Sequence, residues 1–598
     1  MPEDSNRRRF LKKSLVGGLA AGLAGCGSRE SGGGDGGGSD GGDGSDGGSG
    51  GGTPTEMEDA PTPEQEVEYE EVPDQVWLST SRSQNAQRFE WGTLAQQNLE
   101  RLGFRFQKDV VEIGTWVDRL FAREWDFVHL AWSGSIERIF PYYNLFFSFH
   151  SQFAEVGKGN FQLWSSDEYD TAVENFVAAT TDDERQSTAF KCQEIIGENE
   201  PVVFTHHPDA LVAHDSANWE GWDEMFGNFA YWNLNTLQDI SPTGNKDAVV
   251  YGTTHQLQNY PNFFTVTGPQ ALMIYKMTYD SVAYLDYSGQ PYPLAAEEWN
   301  YQDATTLDVT LREGMQFHDG EEVTAEDLKV TWDLLGEHEV PYLGSDVAPY
   351  ESSEILDDYT VRFNLNDPFS GFIQISLFRT PILPAHIWGG IVEDQGLEHP
   401  REWGDVDMTG SGLFKFETYE AGNRAVMSLN EDHRLAENVD FSTLVRKVYG
   451  NQSAIIGDIA NGDTTFTGFL APNQWTRADQ QQTVGAVENP NLQASGIWVQ
   501  CNGRRHRMFA DVNVRRALAH AVDDQQHIDI VYQGHGEQAR SPVAPVNEFY
   551  FNPETTHYET NLGKARDMLA DLGFRWNDRG RLMLPTDWEP QTEYVSVE

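Results

Sequence analysis

Cysteine is nearly missing from this chain, with three in 598 residues. They stand at positions 26, 192 and 501, too few for a disulfide framework to organise the fold. No CxxC pair, no HExxH and no glycine-rich phosphate loop occurs, so metal-dependent hydrolysis and nucleotide use have no motif behind them. Long apolar runs are missing too. The most apolar stretch, from Leu15 to Leu23, is too short to span a bilayer as a helix. Positive charge is scarce: 41 Lys and Arg face 94 Asp and Glu, a formal net charge of -53. Such a surface repels phosphate backbones and excludes nucleic acid as a partner. Carboxylates are so abundant that no pair stands out as a catalytic acid and base.

What the chain does contain is core material. Aromatic residues make up 12% of it, including 17 Trp, and acidic residues run through these aromatic-rich segments rather than collecting in a tail. The combination predicts a folded protein with an acidic, heavily hydrated surface suited to high salt, where self-repulsion is screened. A halophilic source is expected. At this length the chain should divide into two or more lobes.

The N-terminus resembles an address. Asn6 to Lys12 is similar to a twin-arginine export signal with Arg7 and Arg8 as the pair, and Leu23-Ala24-Gly25-Cys26 resembles a lipobox. On that resemblance residues 1–26 are a lipoprotein signal, and lipidated Cys26 anchors the mature protein at the outer face of the cytoplasmic membrane. Residues 27–74, rich first in Gly, Ser and Asp and then in Pro and Glu, read as a flexible tether. Its roughly 45 residues would span about 40 Å as a random coil.

Folded structure is expected from Gln75. VWLST is a strand, Trp91, Ala95, Leu99 and Leu102 share one helical face, and FRFQKDVVEI and DFVHLAW are further strands around a short helix, a βαβ-like series. Ser165 with Glu168 has capping-box spacing ahead of another helix. His206 and His207 are adjacent on a strand, so they face opposite sides and do not suggest a metal site. Farther on, Leu307, Val309 and Leu311 alternate with Asp308 and Thr310, the period of a half-buried strand. His318-Asp319-Gly320 then supplies a turn. Thr324 and Asp327 have capping-box spacing before Leu328, Thr331, Trp332 and Leu335 at helical spacing.

This strand, turn and helix, with its LR-x-G-x-x-FHDG and T-A-x-D-L wording, resembles the signature of the family 5 solute-binding proteins of ABC transporters, the oligopeptide-, dipeptide- and nickel-binding type. The resemblance implies an α/β, two-lobed periplasmic-binding-protein-like fold of the class II type with an extra subdomain. The order of segments departs from the family. Asp126 to Trp132, Asn160 to Asp170, Asp182 to Ile196 and Val202 to Val212 resemble pieces of the family's last third, yet here they precede the FHDG stretch. VVYGTTHQLQN resembles the family's opening strand, and NLGKARDMLADLGF normally leads into what here begins at Gln75. A circular permutation follows as the reading: 75–205 the second part of lobe II, 206–247 the return to lobe I with the junction, 248–494 lobe I with its subdomain, and 495–598 the first part of lobe II. The alternative is an added N-terminal module with the usual C-terminal part missing. Pairing of VWLST in one sheet with the strand near Trp498 would separate the two.

For function the resemblance implies an extracytoplasmic binding protein that captures a peptide-like or other small oligomeric solute between its lobes and delivers it to an ABC permease. No cofactor, metal or catalytic residue is implied, and a monomer is expected. An oligosaccharide-binding member of the family, a glycoside-acting enzyme and a sensor subunit remain as alternatives. In peptide-binding relatives a W-x-x-D aspartate meets the ligand's free amine. The matching positions here read Trp132-Ser133-Gly134-Ser135, without the carboxylate, and Glu137 is the acid close by. By position in the family pattern, ligand contact is expected from Trp132, Ser135, Tyr260, Trp498 and Asn502. Packing in the core is the alternative for the two tryptophans. Cys192 and Cys501 are expected to be buried thiols rather than a disulfide.

Overall fold

A computed structural model describes residues 67–591, except 84, 224–226, 228–230, 256–261, 267, 341, 405–407 and the side chains of 137 and 269–271. Arg7, Arg8, Cys26 and Tyr260, together with the side chain of Glu137, therefore lie outside the described residues.

Two large sheets organise the molecule. The first has six strands in the order Gly536–Gln538, Val202–Pro208, Ser495–Val499, Phe127–Ala131, Gln75–Thr80 and Phe106–Val111. Gln75–Thr80 runs parallel to both Phe106–Val111 and Phe127–Ala131, and Ser495–Val499 pairs antiparallel with Phe127–Ala131. VWLST and the strand carrying Trp498 thus share one sheet, with a single strand between them. The helix Ala86–Glu100 covers this sheet because Trp91, Ala95 and Leu99, spaced along one face, are fully buried. Gly103 (φ 100°) follows the helix. Its Cβ would lie 2.8 Å from Gly580 O and from Leu582 N, so both the backbone angle and the close approach call for glycine.

Structure starts earlier than residue 75. Tyr69–Glu71 pairs antiparallel with Leu582–Pro585 near the other end of the chain, and Val72 is buried. The expected tether therefore stops short of residue 74. Tyr69 and Val72 bring apolar surface, and the unpaired edge of Leu582–Pro585 offers backbone partners to an otherwise acidic segment. A second local difference lies at the helix Asp167–Ala178. Its cap is Ser166, whose hydroxyl accepts the Tyr169 N–H, not Ser165. Thr181 and Glu184 form a full capping box on the next helix, Asp182–Asn199. Cys192, on that helix, and Cys501 are both free and buried.

The second sheet has seven strands, in the order Phe414–Glu420, Arg424–Leu429, Thr443–Val448, Ala248–Thr253, Phe466–Thr467, Ala210–Asp215 and Val484–Asn489. A separate four-stranded sheet includes Thr306–Leu311. Leu307, Val309 and Leu311 are fully buried on one face of that strand, as the alternation predicts, each contributing about 1.5–3 kcal/mol of burial. Gly320 (φ 96°) completes the turn. His318 is fixed there as the Nε2–H tautomer: Nε2 donates to Gly412 O at 3.0 Å while Nδ1 accepts the Gly410 N–H at 3.3 Å. The helix Ala325–Glu337 begins where the Asp327 carboxylate accepts the Thr324 N–H at 2.7 Å and the Ala385 N–H at 2.7 Å. Leu328, Thr331, Trp332 and Leu335 are its buried face. The FHDG stretch is thus a structural junction holding a turn against the 410–412 loop.

Candidate functional site

Two strand crossings join the large sheets. The chain leaves the six-stranded sheet at Pro208, passes Asp209 and enters the seven-stranded sheet as Ala210–Asp215. It returns through 490–494, between Val484–Asn489 and Ser495–Val499. The crossings lie side by side: Ala210 pairs with Asn489 in one sheet and His206 with Ser495 in the other. An antiparallel ribbon therefore runs from sheet to sheet, the arrangement through which two lobes can bend with few dihedral changes.

Three of the residues expected at a ligand gather at this ribbon. Trp132 donates its backbone N–H to Ala494 O at 2.8 Å and its indole Nε1–H to Ser148 Oγ at 2.8 Å. Its ring lies 4.8 Å from Trp498, 5.9 Å from Phe204 and 6.0 Å from Phe149. Only 7% of Trp132 and 3% of Trp498 is exposed, so both indoles pack in the core beneath the junction. Ser135 is buried, and its Oγ lies 2.9 Å from Ser133 Oγ. Gly134 explains how this loop fits. A Cβ there would sit 1.8 Å from Asn491 Oδ1, so glycine lets the loop lie against the Asn491 side chain as it stands. Gly227 closes the cluster: its N–H donates to Pro490 O at 2.8 Å, and a Cβ on it would lie 2.4 Å from Gly134 O.

Asn502 stands elsewhere. It follows the C-terminal end of Ser495–Val499, whereas Trp132 and Ala494 meet at the N-terminal end, and its Oδ1 accepts the Arg504 N–H at 3.2 Å. The two ends of the strand do not converge.

Charge at the junction is concentrated in groups that the sequence does not single out. Asp209, within the first crossing, has its carboxyl pushed up to about 7 by burial and by the adjacent Glu488. Glu488, on the strand Val484–Asn489 that leads into the second crossing, hydrogen-bonds the Asp209 carboxyl and also reaches the other sheet: its Oε1 is 2.6 Å from His535 Nδ1, and the His535 ring stands 4.8 Å from Trp475. His535 belongs to the six-stranded side, Trp475 and Glu488 to the seven-stranded side. In a chain with 94 acids no spacing rule marks Asp209 or Glu488, and only the strand register brings them together.

A second bridge lies deeper. Tyr143 donates its hydroxyl to Asp346 and contacts Ser345, while Arg379 Nη1 pairs with Asp346 at 2.5 Å and reaches Tyr143 Oη at 3.2 Å. Both charged side chains are almost wholly buried, so the pair depends on its neutral partner for satisfaction. His206 and His207 face opposite ways, as strand geometry requires. His206 Nδ1 accepts the Trp91 indole N–H at 3.1 Å, whereas His207 Nδ1 donates to Gln493 O at 2.9 Å. Burial pulls both imidazoles down, His207 to about 4. Trp91 is also stacked against His129 at 3.6 Å and His527 at 4.9 Å. Among the described residues no group of three His, Cys, Asp or Glu side chains is arranged to hold a metal ion. No helix among them is long and apolar enough to cross a membrane.

Comparison with known proteins adds the family. The profile of the bacterial extracellular solute-binding proteins, family 5, middle region, matches residues 290–597. The oligopeptide-binding protein AppA of Bacillus subtilis is 31% identical over 274 residues, 45% of this chain and 49% of AppA. The probable D,D-dipeptide-binding periplasmic protein DdpA of Escherichia coli is 24% identical over 343 residues, 55% of this chain and 62% of DdpA. The chain spans about half the length of the curated relatives it matches. A solved structure of Bacillus subtilis AppA with a nonapeptide aligns over 55% of this chain and 65% of AppA, at 22% identity and a TM-score of 0.43. With its profile match extending over more than half of its length, this chain belongs to the family 5 extracellular solute-binding proteins.

Proposed function

We propose that this protein is the capture component of an ABC importer, taking a short peptide-like solute between the two sheet-centred lobes and presenting it to a membrane permease. The observation that carries the reading is the pair of crossings that meet the Trp132 to Ser135 loop, in a chain of this family. Closure about the ribbon would enclose a solute beside that loop, with Ser135 near the ligand and Trp132 and Trp498 forming the rigid floor rather than an open platform. Tyr260, which follows the segment resembling the family's opening strand, completes the proposed set. The aspartate that peptide-binding relatives place at the position of Ser135 is replaced here by a neutral hydroxyl, which favours peptides whose amino end is engaged elsewhere or blocked.

Permutation of the family order is part of the same reading. It is supported by the N-terminal strand Gln75–Thr80 sitting inside the sheet that also holds Ser495–Val499, and by Tyr69–Glu71 pairing with Leu582–Pro585. An added module would be expected to carry its own sheet. Export through Arg7 and Arg8 and anchoring through Cys26 fit the same role, and the Cys26→Ser variant should then be released from the membrane. The direct test of function is mass spectrometry of the small molecules that purified protein releases on unfolding, followed by thermal shifts with the compounds identified, since a true ligand raises stability by mass action.

A further inference from the structure

The chain carries 94 acids against 41 bases, yet Arg138 has no counter-charge among the described residues. It ends the 3-10 turn Ile136–Arg138, which directly follows the Trp132 to Ser135 loop, and its backbone N–H donates to Ser135 O at 2.9 Å. Its guanidinium carbon lies 3.7 Å from the centre of the Tyr143 ring. Among the described residues no ion pair and no side-chain hydrogen bond engages that guanidinium. The residue is half-buried, and its unpartnered nitrogens are open to solvent.

Both flanks of this arginine are fixed. On one side Trp132 holds the loop to the second crossing through Ala494 O, and its indole N–H donates to Ser148 Oγ, which in turn donates to Tyr143 O at 2.8 Å. On the other side the buried Tyr143 hydroxyl donates to Asp346, the aspartate paired with Arg379. Arg138 therefore stands between the hinge ribbon and the bridge to the part of the chain that carries the four-stranded sheet. Asp346 and Arg379 balance each other, so the charge of Arg138 is left over at this bridge. Stacking on an aromatic face occupies one flat side of a guanidinium and leaves its N–H edge facing outward. That edge is the part that takes both oxygens of one carboxylate. Because the tyrosine already holds the fork in place, less side-chain freedom is lost when an anion binds.

We infer that Arg138 is a specificity-determining residue of the lobe junction, pairing with a carboxylate on the captured solute. This rests on the capture reading above and adds a polarity to it: the acidic end of the solute faces the turn that follows the Trp132 to Ser135 loop. A peptide would then be held there by its terminal carboxylate, and its amidated counterpart would be refused.

Competition between two forms of one peptide pool tests this. Full-length protein is equilibrated, at one fixed KCl concentration, with an equimolar mixture of short random peptides lacking Asp and Glu, half with free carboxyl ends and half amidated, and the retained species are identified by mass spectrometry. The parent protein should retain acids over amides at least tenfold, the scale of a charge-assisted pair. Arg138→Gln should erase that preference without changing the circular dichroism spectrum, whereas Glu137→Gln, which removes the neighbouring acid, should keep it. Arg138→Lys retains the charge but loses the planar fork; it should lower the preference at least threefold, and it decides the matter if Arg138→Gln fails to fold. Equal retention of acids and amides by the parent protein would overturn the inference and leave peptide capture standing, as would an undiminished preference in Arg138→Gln. Retention of neither class would overturn it together with the capture reading.

Discussion

Tyr143 and Asp346 lie 203 residues apart in the chain, yet the tyrosine hydroxyl donates directly to the aspartate in a buried site shared with Arg379. This contact ties the segment after the Trp132 loop to the part of the chain that carries the four-stranded sheet. Removing the hydroxyl with Tyr143→Phe deprives a buried ion pair of a donor, and should cost about 1–3 kcal/mol. Asp346→Ala strands the Arg379 guanidinium in the interior and should cost more, about 3–5 kcal/mol. Chemical denaturation in high salt measures both, and equal midpoints for the two variants and the parent would refute the role given to this bridge.

The junction carries a pH dependence with a definite sign. The Asp209 carboxyl is raised from 3.8 to about 7 in the folded protein. Between those values the unfolded chain has already lost a proton that the folded chain still holds. Stability is therefore fully supported below 3.8 and declines as pH rises toward 7, after which this contribution stays flat. Partial exposure of Asp209 screens the effect. Glu488, Glu537 and His535 are the groups whose charges act on it. Asp209→Asn should flatten the slope of melting temperature against pH across this window, and an unchanged slope would place its origin elsewhere.

Much of this architecture was legible in the sequence because burial leaves periodic marks. The alternation of Leu307, Val309 and Leu311 and the helical stripe of Trp91, Ala95 and Leu99 both report a single buried face. The helix Val512–Ala521, capped by Asp511, buries Val514, Ala517, Leu518 and Ala521 but also Arg515, Ala519 and His520, so its burial goes beyond one face. What stayed hidden depends on register and long-range approach. Asp209 and Glu488 meet only because Ala210 pairs with Asn489. Asn502 follows Trp498 by four positions, but the strand ends at Val499 and Asn502 lies beyond it, at the end away from the Trp132–Ala494 contact. The end of the tether is not visible in the sequence because Tyr69–Glu71 has no periodic signature of its own and forms a strand by pairing with Leu582–Pro585.

Salt dependence follows from composition. With 94 acidic and 41 basic residues, repulsion between surface carboxylates opposes the compact state until ions screen it, over about 10 Å at 0.1 M and about 3 Å at 1 M. The melting temperature should rise steadily from 0.1 M to molar KCl. A protein equally stable at both ends of that range would contradict the reading of its surface.

The thiols offer a simple check on the core. Burial pushes both Cys192 and Cys501 up, away from the reactive thiolate. Native protein should leave both unmodified by a thiol reagent, and denaturant should release two reactive groups per chain from these positions. Rapid labelling of either in the native state would show that its lobe opens more readily than the packing around Trp498 implies.

Gly134 links the fold to the proposed capture. Because a Cβ there would meet Asn491 Oδ1 at 1.8 Å, Gly134→Ala forces either the Asn491 side chain or the Ser133 to Ser135 loop to move. Ligand affinity should fall at least tenfold while far-ultraviolet circular dichroism is retained. Unaltered affinity would remove this loop from the binding site.

Identifying the small molecules released when the natively purified protein is unfolded tests the central claim most directly. Capture of a peptide-like solute predicts short peptides in near-stoichiometric amount, whose re-addition raises the melting temperature in proportion to the logarithm of their concentration. Release of an oligosaccharide instead, or turnover of a candidate substrate by the purified protein, would contradict it.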